Sequence, residues 1–502
     1  MSERVRVRFA PSPTGYLHVG SLRTALYNYL FAKKQGGTYI LRIEDTDQKR
    51  FVDGAIESLV RSLDTMNVGA NEGVVLEDDT VIERGECGPY QQSKRLSQYK
   101  SEAEKLVASR KAYRCFCTPE RLIVVREEQT KNKQAPKYDK HCLGLPDEEV
   151  QALVETGKPY VIRLNIDSSR GEVRFRDLIR GDVKFLARDL DDQILMKSDG
   201  FPTGVFAIAV DDVLMGVTHV IKGEEWLSTT PKQVLVYEAA GWELPQFAHL
   251  PLLLNADKSK LSKRQGDVAV EDYLKKGYLK EALLNFVALL GWNPGKGSTQ
   301  EIFTLEELVA AFDFAQIHKG GAVFDLKKLD WMNGEYIKKL SVDELYERVM
   351  SGGFLNKELI TNAPEAMKTE SYLKRVLSVE RERLTKLSDI GELNPFFFAT
   401  DPVYDPRKLH WKENAVEMTR ASLEQALVLL ESLDDATWND VLLLEEKLLS
   451  AAGDKKGDFL WPLRYALTGA DRSPSPPQVA WVLGKNESVL RVEKALEKLS
   501  LE

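Results

Sequence analysis

The sequence predicts a doubly wound α/β domain at the N-terminus, interrupted by an insertion and followed by an all-helical region. Three observations predict it. Val5, Val7 and Phe9 alternate with Arg4, Arg6 and Arg8, the period of a strand with one buried face. Leu22, Ala25, Leu26, Tyr29 and Leu30 then recur at helical spacing, and the turn between contains Pro11, Pro13 and Gly15, which end the strand and let the backbone reverse. From 341 to 502, amphipathic segments alternate with Pro and Gly breaks, and no run keeps a two-residue period.

In the first unit Ser21 is the expected helix N-cap. A strand, turn and helix of this kind deliver side chains to the C-terminal edge of a parallel strand, where unbonded helix N-H groups attract phosphate. His18 stands there as a donor. A lone histidine before a glycine is most often a packed loop residue; a second phosphate-binding element downstream, the basic run Lys258-Ser-Lys-Leu-Ser-Lys-Arg264, changes its weight. A second strand over 38–43 leads into Glu44-Asp-Thr-Asp47, which places carboxylates at a strand end where ligands of such sheets bind. Asp45 and Asp47 read alternatively as caps for the helix expected from Ala55.

Further along, a helix is expected over Leu96 to Ala108, then Tyr113-Arg-Cys-Phe-Cys117, a charged run over 126–140 and short strands near 161–164 and 173–175. The α/β pattern resumes near Gln193 and continues through an apolar strand at 217–221 to a helix after Glu224-Glu-Trp226. A chain of 502 residues holds several units, each large enough for its own core. No apolar run approaches the roughly 18 residues of a membrane helix, and residues 1–20 lack a signal-peptide core. A cytoplasmic location is expected, with an organellar matrix as the alternative. Cys87, Cys115, Cys117 and Cys142 suit reduced thiols or a metal better than a disulfide framework. The net charge of −8 argues only weakly against a polyanionic partner, because the local field at the contact decides. Basic clusters occur at 258–264, 327–328, 338–339 and 381–386.

His18-Val-Gly-Ser21 and Lys260-Leu-Ser-Lys-Arg264 resemble the two signatures of class I aminoacyl-tRNA synthetases, in the forms typical of glutamyl-tRNA synthetases of bacterial and organellar type. Arg42-Ile-Glu-Asp-Thr-Asp47, Pro89-Tyr-Gln-Gln-Ser93, Asp211-Asp-Val-Leu-Met-Gly-Val217, Glu224-Glu-Trp226 and Asp330-Trp-Met-Asn-Gly334 extend the resemblance over nearly the whole chain. It implies an α/β Rossmann-type catalytic domain in two halves, 1–94 and 188–255. Between them lies an inserted α/β acceptor-binding domain, 95–187; a stem-contact region with the basic loop, 256–340, and an all-α anticodon-binding region, 341–502, follow.

The implied reaction joins L-glutamate to tRNA through an adenylate made from ATP, with Mg2+ riding on the nucleotide and the chain acting as a monomer. His18, Ser21, Lys260 and Lys263 are the implied catalytic residues, with Thr14, Gly15 and Gly20 completing the ATP site. The resemblance assigns the amino acid to Arg8, Ser12 and Glu44 on one side and to the positions of Gly204, Ile208 and Lys222 on the other, and tRNA contacts to Asp47, Arg383 and Arg464. Arg8 suits a forked pair with a carboxylate and Glu44 suits the ammonium group. Arg383 favours restriction to glutamate tRNA. Cys115, Cys117 and Cys142, with His141 or Tyr138 as fourth donor, resemble the zinc knuckle of some members; a further family ligand would fall at Gly144.

One wall departs from the family. Where it has a tyrosine, an asparagine and an arginine, this chain has Gly204, Ile208 and Lys222. Each lost hydrogen bond to a buried charged group costs roughly 1 to 3 kcal/mol, so a weakened or remodelled glutamate pocket is expected. A non-catalytic or diversified tRNA- and ATP-binding relative is the alternative. A tRNA-modifying glutamyl transferase is disfavoured because such proteins lack the helical tail, and a glutaminyl enzyme because its tail is built of β-barrels.

Overall fold

The computed structural model describes residues 4–261, 269–295, 297–355 and 357–500. The strands are β1 (Arg6–Phe9), β2 (Thr38–Leu41), β3 (Glu72–Glu77), β4 (Thr80–Arg84), β5 (Ala112–Cys115), β6 (Val161–Leu164), β7 (Glu172–Asp177), β8 (Gly181–Leu186), β9 (Ile194–Met196), β10 (His219–Gly223) and β11 (Gln246–Leu250). The helices that matter for the site are α1 (Val19–Lys34), α2 (Ala55–Thr65), α3 (Leu96–Ala108), α4 (Pro119–Lys131), α5 (Asp147–Glu155), α6 (Gly204–Leu214) and α7 (Thr230–Ala240).

The large sheet runs β4-β3-β2-β1-β10-β11-β7-β8. Its central strands are parallel, and antiparallel hairpins β3/β4 and β7/β8 close the two edges. Chain order reverses between β1 and β10, whose Val7 and His219 are in register. In sheets of this type the crevice beyond the carboxyl ends of such a pair is where ligands bind.

Burial on both faces makes β1 differ from the one-sided strand expected. Val7 and Phe9 are buried as foreseen, and Arg8 is buried too, because α6 supplies Asp212 to pair with it. A buried guanidinium is tolerated when it is paired and hydrogen-bonded. A small antiparallel sheet, β5-β6-β9, packs with α3. It divides the insertion differently from the expected 95–187 boundary: β7 and β8 lie within that span yet extend the large sheet, while β9 lies past it in the small one. Pairing explains the division, since β7 bonds to β11 at Asp177 and Phe247 and covers an otherwise open strand edge.

The chain separates into two compact units. One comprises the residues up to Tyr273 together with Leu283–Leu326; the other comprises Leu274–Ala282 and the residues from Lys327 on. The stretch 256–340 is thus divided between them. Beyond Leu326 the described residues form helices and short 3-10 turns and no strand. The core of the second unit is built from Phe396, Phe397, Leu423, Leu430, Leu444, Leu463, Val479 and Val492, apolar residues at helical spacing. No helix among the described residues is long and apolar enough to cross a membrane.

Candidate active site at the strand ends

A cavity of about 390 Å3 opens at the β1/β10 crossover. Its lining includes Arg8, Ser12, Thr14, His18, Gly20, Ser21, Glu44, Ile208, Lys222 and Lys260, so most of the residues expected to meet ATP and the amino acid converge there.

The turn after β1 is fixed by its backbone. Glu44 N-H donates to Pro11 O at 3.0 Å and Val52 N-H to Pro13 O at 3.1 Å, so the proline-rich segment bridges to the strand beside it although Pro itself offers no donor. Gly15, with φ 136°, takes a conformation only glycine adopts without cost. Helix α1 begins at Val19, one turn earlier than a Ser21 cap requires. His18 is the N-cap, and its Nδ1 accepts from Gly20 N-H at 2.9 Å. Ser21 lies within the first turn and faces the cavity. With Nδ1 accepting, the neutral imidazole carries its proton on Nε2. Sixteen residues of helix add the positive end of their dipole at the same place.

Below the cavity lies an ion network. Asp212 accepts from Arg8 Nε at 3.0 Å, Arg8 Nη2 at 3.3 Å and Arg42 Nη1 at 2.7 Å. Arg42 also reaches Glu44 at 3.1 Å. Asp211, beside it, accepts from Arg95 Nε at 2.7 Å, Gln92 Nε2 at 2.8 Å and the Tyr99 hydroxyl at 2.8 Å. Burial raises the pKa of Asp212, but Arg8 and Arg42 outweigh it and hold the carboxyl below its ordinary value. Burial raises Glu44, and there the two arginines do not fully offset it. Neither Asp211-Asp212 nor Arg42 carried an assigned role in the sequence. The signal was two adjacent aspartates on the otherwise apolar segment 205–213, which need buried cations to be tolerated.

Across the cavity, Lys222 is 9% exposed and its Nζ donates to Gln233 Oε1 on α7 at 2.7 Å. No sequence signal marked Gln233. Ile208 lines the cavity from α6, but Gly204 does not: it is exposed at the first turn of that helix, and a Cβ built there meets nothing within 4 Å. Space for a larger side chain is present and unfilled. Asp45 caps no helix; it is buried and accepts from Ser93 N-H at 2.7 Å and Gln91 Nε2 at 2.7 Å. Asp47 is exposed at the start of a 3-10 turn and makes no side-chain cap, while α2 has Gly54 as its N-cap. The expected capping role of these two aspartates is therefore not realised. Lys260 is exposed at the cavity rim. Lys263 lies outside the described residues.

In the insertion, the sulfurs of Cys115, Cys117 and Cys142 lie within 4.8 Å of one another. Tyr138 supplies the fourth polar atom, its hydroxyl 3.3 Å from Cys115 Sγ and 3.4 Å from Cys117 Sγ. Hydrogen bonding from Cys142, ahead of that from Tyr138, draws the Cys115 thiol well below its usual range, toward the thiolate that metals prefer. His141 is exposed and outside this cluster. Lys140, at φ 59°, turns the chain there, so the backbone brings Cys142 inward and leaves His141 on the surface.

In the second unit Arg383 pairs with Glu380 at 3.3 Å. Arg464 Nη1 donates to Ser473 O at 2.8 Å and Ser473 Oγ at 2.6 Å. Burial first, and then the charge of Arg383, lowers the pKa of Arg464, so these two arginines are electrostatic neighbours.

A doubly wound sheet with a histidine-capped helix and a buried carboxylate-arginine network at its crossover defines a nucleotide-binding enzyme. Residues 4–331 match the family described as tRNA synthetases class I (E and Q), catalytic domain, and residues 344–496 match an anticodon binding domain. The chain belongs to the glutamate–tRNA ligases of this class I family. It is 46% identical over 500 residues to the glutamate–tRNA ligase of Alkaliphilus metalliredigens (strain QYMF), covering 99% of this chain and 100% of that one. Against that of Clostridioides difficile (strain 630) it is 47% identical over 495 residues, covering 97% and 98%. The crystal structure of a glutamate tRNA ligase from Elizabethkingia meningosepticum CCUG26117 in complex with its amino acid superposes with a TM-score of 0.85, at 34% identity, over 99% of this chain and 100% of that one.

Proposed function

We propose that this chain joins L-glutamate to tRNA(Glu) in two steps within the cavity at the β1/β10 crossover. The observation that carries the reading is the convergence on one cavity of His18, Ser21 and Lys260 with Arg8, Glu44 and Lys222. In the first step a carboxylate oxygen of the amino acid attacks the α-phosphorus of ATP and pyrophosphate leaves. In the second, a ribose hydroxyl at the tRNA end attacks the carbonyl of the adenylate and AMP leaves.

The protein's share is placement and charge compensation. His18 donates from Nε2 to the phosphates, and the α1 N-terminus adds its N-H groups. Thr14, Gly15, Gly20 and Ser21 shape the nucleotide site, and Lys260, joined by Lys263, offsets charge on the departing pyrophosphate. Mg2+ bound to the nucleotide would supply further charge neutralisation. Glu44 takes the substrate ammonium, Ser12 and Arg8 lie along the amino acid, and Lys222 meets its side-chain carboxylate. Arg8 arrives with part of its fork engaged by Asp212, which fixes its plane before substrate enters.

Ile208 in the cavity wall offers no hydrogen bond where the family has a polar side chain, so glutamate is held more weakly than by relatives with that side chain. Asp47 and the insertion meet the acceptor end of tRNA, the basic helix Leu326–Lys339 follows the stem, and Arg383 with Arg464 reads the anticodon by stacking and forked bonds. Arg383 limits charging to tRNA(Glu). The chain works as a monomer in a cytoplasm-like, reducing compartment, where four unpaired cysteines are ordinary. The relatives named above are ligases along their whole length, which favours catalysis over the non-catalytic alternative.

Charging assays with glutamate and glutamine tRNAs against several amino acids test the reading. Glutamate attached to tRNA(Glu) alone is expected; charging of another amino acid, or of none, would overturn it. Cys115, Cys117, Cys142 and Tyr138 would hold a zinc ion, which would tie the segments of the insertion together. Elemental analysis of gently purified protein is expected to find about one zinc per chain, lost in Cys142→Ser; zinc-free protein would reject the site.

A further inference from the structure

We propose that the Lys222–Gln233 pair makes substrate binding proton-coupled: the amino acid's side-chain carboxylate enters together with one proton, which Lys222 takes up. This rests on the glutamate reading above and names how the remodelled wall recognises its substrate.

The partners of Lys222 carry the inference. Its Nζ donates to a neutral amide oxygen, Gln233 Oε1, and lies over the Phe247 ring at 5.9 Å; Glu225 lines the same cavity, and the three carboxylates whose charge acts on Lys222 are engaged elsewhere. Asp212 on α6 is held by Arg8 and Arg42, Glu44 after β2 by Arg42, and Asp177 on β7 by His249 of β11 at 2.6 Å. Arg8 on β1 faces it as a like charge. A buried ammonium in such company lacks a countercharge. Burial, then Arg8, holds the Lys222 pKa down to about 7 despite the opposing pull of Asp212, Glu44 and Asp177. A substrate carboxylate in the cavity supplies the missing partner, and a group whose pKa rises on binding draws in a proton above its free pKa. His249 has its Nδ1 turned to Asp177, and burial first of all lowers its pKa. An arginine at position 222 stays charged throughout and would bind without this coupling.

The sign follows directly. Below pH about 7 Lys222 is already protonated and adds no pH dependence, any acid-side change falling to Glu44, whose carboxyl burial raises; above it, affinity falls about tenfold per pH unit until the bound-state pKa is reached. Calorimetric titration of the full-length protein with L-glutamate, in two buffers of different ionisation enthalpy, reads the proton count. Uptake of about one proton per glutamate is expected at pH 8.5 and almost none at pH 5.5. In Lys222→Arg, uptake at pH 8.5 should disappear and the affinity profile flatten, whereas loss of a merely structural lysine would shift affinity equally at every pH. Binding by the wild type without proton uptake at pH 8.5, or uptake retained in Lys222→Arg, would overturn the coupling while leaving the glutamate reading intact. Failure of glutamate to bind at any pH would overturn both.

Discussion

Asp212→Ala should lower folding stability by about 3 to 5 kcal/mol and abolish activation, the range found when one partner of a buried ion pair is removed. Asp212 is 2% exposed and joins two arginines, Arg8 in β1 and Arg42 just after β2. Deleting it leaves both guanidinium groups buried, with Glu44 and Asp211 as the remaining neighbouring carboxylates of Arg42. It also releases the plane of Arg8 where the amino acid is to be aligned. Asp212→Asn keeps an acceptor but not the charge and should lose less stability. The native carboxyl has a depressed pKa, so its contribution is present above the unfolded value of about 3.9 and is lost as pH falls through the native one. The deficit of Asp212→Ala relative to wild type should therefore narrow below pH about 4. Urea unfolding at neutral and acid pH measures this; an unchanged midpoint at pH 7 would show that the network is not needed for stability.

His18→Ala should reduce kcat for adenylate formation by roughly 10²- to 10³-fold, the usual effect of removing one donor aimed at developing charge, with little change in KM for the amino acid. Two roles meet in this residue, since Nδ1 caps α1 through Gly20 N-H and the ring's proton is on Nε2. Loss of an N-cap costs about 1 kcal/mol, so Ala should lower both stability and rate. His18→Asn separates the two: asparagine caps well but does not present the second ring nitrogen, so stability should recover and kcat should not. Steady-state kinetics beside thermal unfolding of both variants checks this. Recovery of rate together with stability in His18→Asn would make the histidine a cap and nothing more.

Local order was readable from the sequence because it depends on near neighbours. The Val5-Val7-Phe9 alternation and the apolar spacing from Leu22 to Leu30 emerge as β1 and α1, and Leu96 to Ala108 as α3. Long-range pairing was not readable. Arg8 and Arg42 reach Asp212 across 204 and 170 residues, and nothing local tells that the arginine at the end of an alternating strand is turned inward. The same limit hides which sheet the β7/β8 hairpin joins, because it looks like any short strand pair until β11 offers it an edge. The sequence marks His18 as a candidate donor but not as the cap, since a histidine N-cap is outranked in expectation by the serine three residues on. At the cysteine cluster, the sequence marks the three thiols, and whether Tyr138 or His141 joins them depends on a backbone turn at Lys140. Family resemblance pointed to Gly204, Ile208 and Lys222, of which Ile208 and Lys222 line the cavity and Gly204 does not. It did not disclose Gln233, whose part depends on α7 lying across the cavity from β1.

Glutamate-dependent exchange of labelled pyrophosphate into ATP, with tRNA(Glu) present, tests most directly that the cavity at the β1/β10 crossover makes a glutamyl adenylate. Exchange that requires glutamate and is nearly lost in His18→Ala is expected. ATP and tRNA binding without any glutamate-dependent exchange, or exchange indifferent to His18, would contradict it.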